Sequence, residues 1–137
     1  MRVSPFILAP AGVAVALAAC ATPHVAERAE VTGTATYRER ILLPPGHVLT
    51  VRLEDVSLAD APARVLAEQV TPLEGRAPPY AFTLAYDPAT IQANHSYAVR
   101  AEIRDEAGRL RFTTDTHHWV ITRGASMSVD IVMVGAR

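Results

Sequence analysis

The stretch that decides the fold is residues 97–104, which read Tyr97-Ala98-Val99-Arg100-Ala101-Glu102-Ile103-Arg104. Every second residue is aromatic or aliphatic, and the residues between them are charged or small. Because successive side chains of a β-strand point to opposite faces of its sheet, this alternation predicts a strand with one buried face and one solvent face. Residues 105–108 have the composition of a hairpin loop, and Gly108 can adopt a positive φ there.

The same alternation continues toward both ends of the chain. Further strands are predicted at residues 31–38, 49–54, 61–70, 80–86, 110–112, 117–122 and 129–133, with Pro- and Gly-containing turn signals between several of them. Residues 61–70 are ambiguous, because an Ala-rich run behind Asp60 can also start a helix, and the neighbouring strands favour a strand. The prediction is an all-β fold, a single β-sandwich of about seven to eight short, mostly antiparallel strands.

Length and composition exclude several classes of protein. The 137 residues have room for one domain, and a hydrophobic content of 50% is too high for a disordered chain. Thirteen basic against 14 acidic residues give a net charge of −1, which speaks against a nucleic-acid partner. A single cysteine excludes a disulfide framework and a Cys-rich zinc module.

The first 20 residues have the order of a secretory signal: a basic start at Arg2, an apolar run over residues 6–17, and small residues behind it. The run is shorter than the roughly 20 residues that a spanning helix needs. Its end, Leu17-Ala18-Ala19-Cys20, resembles the lipobox of bacterial lipoproteins, in which the cysteine receives the lipid. An ordinary cleaved signal beside an incidental cysteine is the alternative. We expect a signal peptide over residues 1–19, a lipidated tether over residues 20–30, and a β domain over residues 31–137.

No convincing catalytic or metal site is visible in the sequence. Asp115 and His117 share a strand face and His118 points the other way, so a zinc ion would lack its remaining ligands. No Gly-x-Ser-x-Gly motif and no Gly-rich phosphate loop is present. The prediction is a protein that is not an enzyme, with no metal and no cofactor other than a covalent lipid on Cys20.

The segment containing His117, His118 and Trp119 is the candidate for a partner-binding surface. Trp119 is the only tryptophan of the chain and could act as an exposed binding anchor. Aromatic residues in strands more often fill the core, and alternation would place Trp119 on one face with Ile121. The core position is therefore the expectation for Trp119, and the exposed anchor is the alternative.

Several blocks of the chain together resemble the YbaY family of bacterial lipoproteins. They are GTATYRERILLPP at 33–45, VRLEDVSLADAP at 51–62, YDP at 86–88, YAVRA at 97–101 and GRLRF at 108–112, followed by residues 113–116 and 122–124. This family shares its domain with YscW, a lipoprotein pilotin of type III secretion systems. The resemblance implies a β-sandwich held at the outer membrane and brings no catalytic residues. It also implies that the chain could bind a secretin subunit, or another outer-membrane protein, and assist its assembly.

Two further functions compete with this expectation. One is a housekeeping envelope lipoprotein with a structural or cell-wall role and no secretion client. The other is a small hydrolase, which would need a pocket where carboxylates or histidines converge. The sequence favours the lipid-anchored binding module, located in the cell envelope and facing the periplasm from the outer membrane.

Overall fold

The computed structural model describes residues 27–137, together with residues 2, 3, 5, 11 and 12. Eight strands cover the described domain, and the stretch that was ambiguous in sequence is the third of them. In chain order they are β1 (Ala29–Tyr37), β2 (Val48–Asp55), β3 (Arg64–Pro72), β4 (Tyr80–Tyr86), β5 (Tyr97–Arg104), β6 (Leu110–Thr113), β7 (His118–Val120) and β8 (Ser128–Gly135). No helix among these residues has the length and apolarity needed to cross a membrane.

The all-β prediction is confirmed, but the two separate layers of a sandwich are not found. The strands form one eight-stranded sheet in the order β3-β2-β5-β6-β8-β1-β4, with β7 paired to β5. The short β6–β8 pairing, which joins Phe112 to Gly135 and Thr113 to Val134, connects what would otherwise be two sheets. The sheet therefore curls into a nearly closed barrel, because a twisted sheet that buries one face closes around its own core.

The two end strands of the sheet, β3 and β4, meet at a seam. Gln69 on β3 closes part of it, because its side-chain Oε1 accepts a hydrogen bond from the backbone N–H of Thr83 on β4 at 2.9 Å. The amide of Gln69 also donates to the hydroxyl of Thr71 at 3.0 Å. A side-chain contact of this kind satisfies an edge N–H that would otherwise be left without a partner.

Most of the core consists of residues that alternation predicted to point inward, whereas Leu73 is buried outside any predicted strand. Fully buried side chains include Val31, Leu49, Val51, Leu53, Leu73, Leu84, Tyr97, Val99, Ile103, Ile131 and Met133. The rings of Tyr37 and Phe112 stack at 4.5 Å between centroids and join β1 to β6. Because these residues come from almost every strand, the core is one contiguous unit.

β1 and β8 are parallel, the exception in an otherwise antiparallel sheet. Gly33 lies where β1 passes closest to its neighbours: a Cβ built there would fall 1.7 Å from the carbonyl oxygen of Val129. Only a residue without a side chain allows the two backbones to approach this closely.

The strand directions give the barrel two distinct ends. At the proximal end, where β1 begins, lie residues 27–28 and the loops 56–63, 87–96 and 121–127. At the distal end lie the loops 38–47, 73–79 and 105–109. In the distal loop 105–109, Gly108 has a φ of 77°, as the hairpin prediction requires.

Candidate functional site

The three candidate partner-binding residues lie beside the start of β5. β7 pairs antiparallel with β5, which places Trp119 opposite Ala98 and His118 opposite Val99. Val99 points into the core, whereas Ala98 lies on the outer face between Trp119 on one side and Glu54 of β2 on the other. The pairing therefore sends neighbouring residues of β7 in opposite directions.

The expectation that Trp119 fills the core is wrong. Its side chain is 50% exposed and lies on the outer face, while Val120 takes the inward position of β7. The alternation pattern placed Trp119 and Ile121 together on the inward face of a strand. That assignment fails because β7 has only three residues and Ile121 adopts a φ of 73°, which ends the strand. The exposed half of Trp119 is a candidate contact for another molecule.

The two adjacent histidines occupy different environments. His117 stacks on Trp119, with 4.8 Å between ring centroids and 20° between ring planes. His118 is half-buried, and its Nε2 lies 3.5 Å from the hydroxyl oxygen of Thr116. Burial lowers the pKa of His118, because the charged imidazolium loses solvation there. The prediction that the two rings point to opposite faces is confirmed.

Two clefts flank the Trp119–His117 pair. The first, of about 290 Å³, runs over the outer face of β5 and is lined by Glu54, Ala98, Arg100, Asp115 and His117 among others. The second, of about 350 Å³, lies between Trp119 and the loop that carries Arg123. Because His117 covers one face of the Trp119 ring, the exposed part of the indole faces the second cleft, which Trp119 lines. We call this surface the Trp119 cleft.

Arg100 supplies a cation to the Trp119 cleft. It is exposed on β5, and in the described part of the chain no carboxylate lies within 4 Å of its guanidinium. Arg52, its cross-strand neighbour on β2, is already engaged with Glu68 at 2.6 Å and Glu102 at 3.3 Å. The donors of Arg100 are therefore available to a carboxylate or carbonyl of a bound chain.

A charge cluster on β2, β3 and β5 adjoins the cleft but is internally satisfied. Glu102 accepts hydrogen bonds from Arg52 and Arg104, and it is 8% exposed although the sequence pattern placed it on the solvent face. Burial opposes ionisation of Glu102, but the two guanidinium groups outweigh it and lower its pKa. This cluster ties three strands together and leaves no free charge for chemistry.

One cluster contains the residue types of a hydrolase, in an arrangement that sequence reasoning did not find. His95 Nδ1 lies 2.7 Å from one oxygen of Asp55, and the hydroxyl of Ser57 donates to the other oxygen at 2.5 Å. Burial disfavours ionisation of Asp55, but the hydrogen bonds from Ser57 and His95 prevail and lower its pKa. Both side chains bind the same carboxylate, so His95 does not stand between Ser57 and Asp55 as a general base must.

The Ser57 hydroxyl is also held from its other side, because it accepts a hydrogen bond from the backbone N–H of Ser96 at 2.9 Å. The Asp55–Ser57–His95 cluster therefore holds the β2–β3 loop against the β4–β5 loop. This cluster could have been predicted only from the pairing of β2 with β5. That pairing places Asp55 opposite Tyr97, two residues from His95.

The other candidate residues lie apart from the Trp119 cleft or outside the described part of the chain. No group of three or more His, Cys, Asp or Glu side chains within the described ranges could hold a metal ion. His47 is buried and its Nδ1 donates to the carbonyl of Pro44 at 2.9 Å. The lipidation prediction for Cys20 and the lipobox residues Leu17, Ala18 and Ala19 lies outside the described residues.

Comparisons with known proteins agree on one family. Residues 26–133 match the family model of the type III secretion system lipoprotein chaperone YscW. The chain is 38% identical to the Uncharacterized lipoprotein YbaY of Escherichia coli (strain K12), an alignment that covers 89% of this chain and 74% of that protein. It is similar in structure to an alternative pilotin from the type II secretion system of Vibrio cholerae, with a TM-score of 0.77 and 47% identity over 81% of this chain and 99% of that one. The resemblance read from the sequence blocks is confirmed, and the chain belongs to the YscW family of lipoprotein chaperones.

Proposed function

We propose that this protein is a lipid-anchored, pilotin-like chaperone of the cell envelope that binds a secretin or another outer-membrane protein. Family membership carries the proposal: the match extends over residues 26–133, and the similar structure of 47% identity is that of a pilotin. The fold alone would not support a function, because proteins with one fold can have many different functions. Here the sequence identity extends over most of the domain.

The anchor in this proposal is a lipid on Cys20, the only cysteine of the chain. It follows Leu17-Ala18-Ala19 in the order of a lipobox, and the family to which the chain belongs is one of lipoproteins. Stable anchoring needs at least two acyl chains, which a tri-acylated cysteine provides. We propose that this anchor sits in the outer membrane and that the domain faces the periplasm.

The client would bind at the Trp119 cleft. Trp119 offers an exposed aromatic surface between two clefts, and Arg100 offers unengaged donors beside it. Interface hot spots are enriched in these two residue types, especially where a pocket excludes water around them. Glu54 and Asp115 line the same cleft, so an incoming segment with an apolar side chain and polar neighbours of both signs fits it best.

The proposed role is binding and involves no catalysis. Ser57 lies beside the His95–Asp55 pair, and its hydroxyl donates to Asp55 and not to His95. A nucleophile needs an adjacent base to accept its proton, and that contact is missing in this arrangement.

Affinity capture from solubilised envelopes tests the proposal, with the lipidated protein as bait and mass spectrometry as the readout. We expect a secretin or another outer-membrane protein to be enriched over a bait with Trp119→Ala. Enrichment of peptidoglycan-linked proteins alone would favour the housekeeping role and contradict the chaperone proposal.

The Cys20→Ala variant should stay unprocessed and lose its outer-membrane fractionation. Normal fractionation of that variant would overturn the anchor.

A further inference from the structure

The proximal end of the barrel differs sharply in charge from the distal end. Its three loops, 56–63, 87–96 and 121–127, carry three Asp, Glu or Arg residues: Asp60, Asp87 and Arg123. The three distal loops carry eight: Arg38, Glu39, Arg40, Glu74, Arg76, Asp105, Glu106 and Arg109. Glu27 and Arg28 add one charge of each sign at the proximal end. Because moving a charge out of water costs free energy, the proximal end has the lower desolvation penalty when it contacts an apolar phase.

Exposed apolar side chains also occur at the proximal end. Leu58, in the loop between β2 and β3, is 72% exposed, the largest exposed fraction of any large hydrophobic residue in residues 27–137. Met127, directly before β8, is 38% exposed. Small residues surround Leu58 in its loop, with Ala59, Ala61 and Ala63 close behind it. A protruding leucine with small neighbours can enter an interface, and Asp60 is the one charged residue that its loop carries.

The proposed anchor orients this end toward the bilayer. Ala29, the first residue of β1, follows Cys20 by nine residues, which can span at most about 30 Å. β1 itself has nine residues and is about 30 Å long. The distal end could therefore reach the membrane only if the tether were fully extended along the barrel wall. The proximal end needs no such extension.

We infer that the proximal end of the barrel docks on the lipid surface, with Leu58 and Met127 entering the headgroup region. This inference rests on the proposed lipid anchor and adds an orientation to it. Trp119 then lies one strand residue from the docked end, and the cleft beside Arg123 borders the docked loop 121–127, so a membrane protein can reach this surface from the bilayer. The near balance of charges at the proximal end means that zwitterionic lipids suffice and that added salt has little effect.

Depth-dependent fluorescence quenching tests the docking with the full lipidated chain. Trp119→Phe removes the only tryptophan, and Leu58→Trp then introduces a single reporter at the proximal end. The matched control is Leu42→Trp in the same background, because Leu42 is 61% exposed but lies at the distal end. Both variants are reconstituted into vesicles of dioleoylphosphatidylcholine with or without the 6,7-dibrominated lipid, and flotation measures the bound fraction.

We expect the brominated lipid to reduce emission about twofold for the Leu58→Trp reporter, since interfacial side chains reach about 5–10 Å into the bilayer, and to leave the Leu42→Trp reporter unchanged. If both proteins float and neither reporter is quenched, the docking is overturned while the anchor stands. Equal quenching of both would overturn the orientation. If the lipid-processed chain fails to float, the anchor and the docking fail together.

Discussion

Replacing Trp119 with alanine is the sharpest test of the client surface, because the same change separates a binding role from a core role. Half of the side chain is exposed in the unbound protein. An aromatic side chain of this size has roughly 200 Å² to bury, so a client that covers the exposed half removes about 100 Å² from water. At about 25 cal/mol per Å², that burial contributes about 2.5 kcal/mol to binding. Trp119→Ala should therefore weaken the client on the order of 50-fold.

The same arithmetic sets the expected change in stability. The buried half of Trp119 packs on His117 and Ala98, and its loss should lower the free energy of unfolding by about 1–2 kcal/mol. A tryptophan in the core would cost about 3–5 kcal/mol on truncation. Chemical denaturation followed by circular dichroism measures this difference. The variant should therefore remain folded under the conditions of a binding assay.

The assay is a direct titration of the lipidated protein with the outer-membrane protein that affinity capture recovers. Val70→Ala is the matched control, because Val70 is an apolar residue that is 56% exposed on β3, away from the Trp119 cleft. Its affinity should equal that of the parent. The reasoning is refuted if Trp119→Ala binds within twofold of the parent, or if Val70→Ala weakens binding equally.

Three further predictions concern the scaffold. Gly33→Ala should lower the free energy of unfolding by about 3 kcal/mol or more, since its Cβ would collide with the Val129 carbonyl; a denaturation curve shifted by less than about 1 kcal/mol would contradict this. Asp55→Asn should lower the free energy of unfolding by about 1–2 kcal/mol at pH 7, because it removes the carboxylate that accepts hydrogen bonds from Ser57 and is paired with His95. Because the pKa of Asp55 is lowered in the folded state, this stabilisation is present above the unfolded pKa and is lost as the pH falls through the folded pKa. The melting temperatures of parent and variant should therefore converge below about pH 4. A constant difference down to pH 3 would contradict this prediction. Glu102→Ala should lower the free energy of unfolding by about 2 kcal/mol. Glu102→Gln should lower it less, since glutamine still accepts hydrogen bonds from the two arginines. Equal melting temperatures for both variants and the parent would show that the cluster does not stabilise the fold.

Local pattern was enough to place the strands. Each predicted strand is present in the structure, and β2, β4 and β5 lie within one or two residues of their predicted bounds. Strand alternation depends on neighbours two residues apart, and it is readable in strands of about four or more residues, such as β6. β7 shows where this fails, because three residues are too few to establish a face and a positive φ at Ile121 follows them.

The candidate site was only partly predictable. Sequence reasoning proposed residues 117–119 as a partner-binding segment, which stays a prediction, and it wrongly expected Trp119 in the core. Asp115 was joined to His117 through a shared strand face, but Arg100 was not, because the cleft forms only when the β6–β7 connection crosses the outer face of β5. The Asp55–His95 pair joins residues that are 40 positions apart, and no local signal connects them.

By itself, the order of amino acids determined the all-β class, the positions of the strands, the family and the lipidation prediction at Cys20, since each depends on residues close together in the chain. Tertiary structure alone decided that the sheet curls into one nearly closed barrel, that Glu102 is buried between two arginines, and that Trp119 faces outward. These features depend on which strands pair and in what register. Pairing is governed by the total burial and backbone hydrogen bonding of the whole sheet, a sum over distant residues that no short stretch contains.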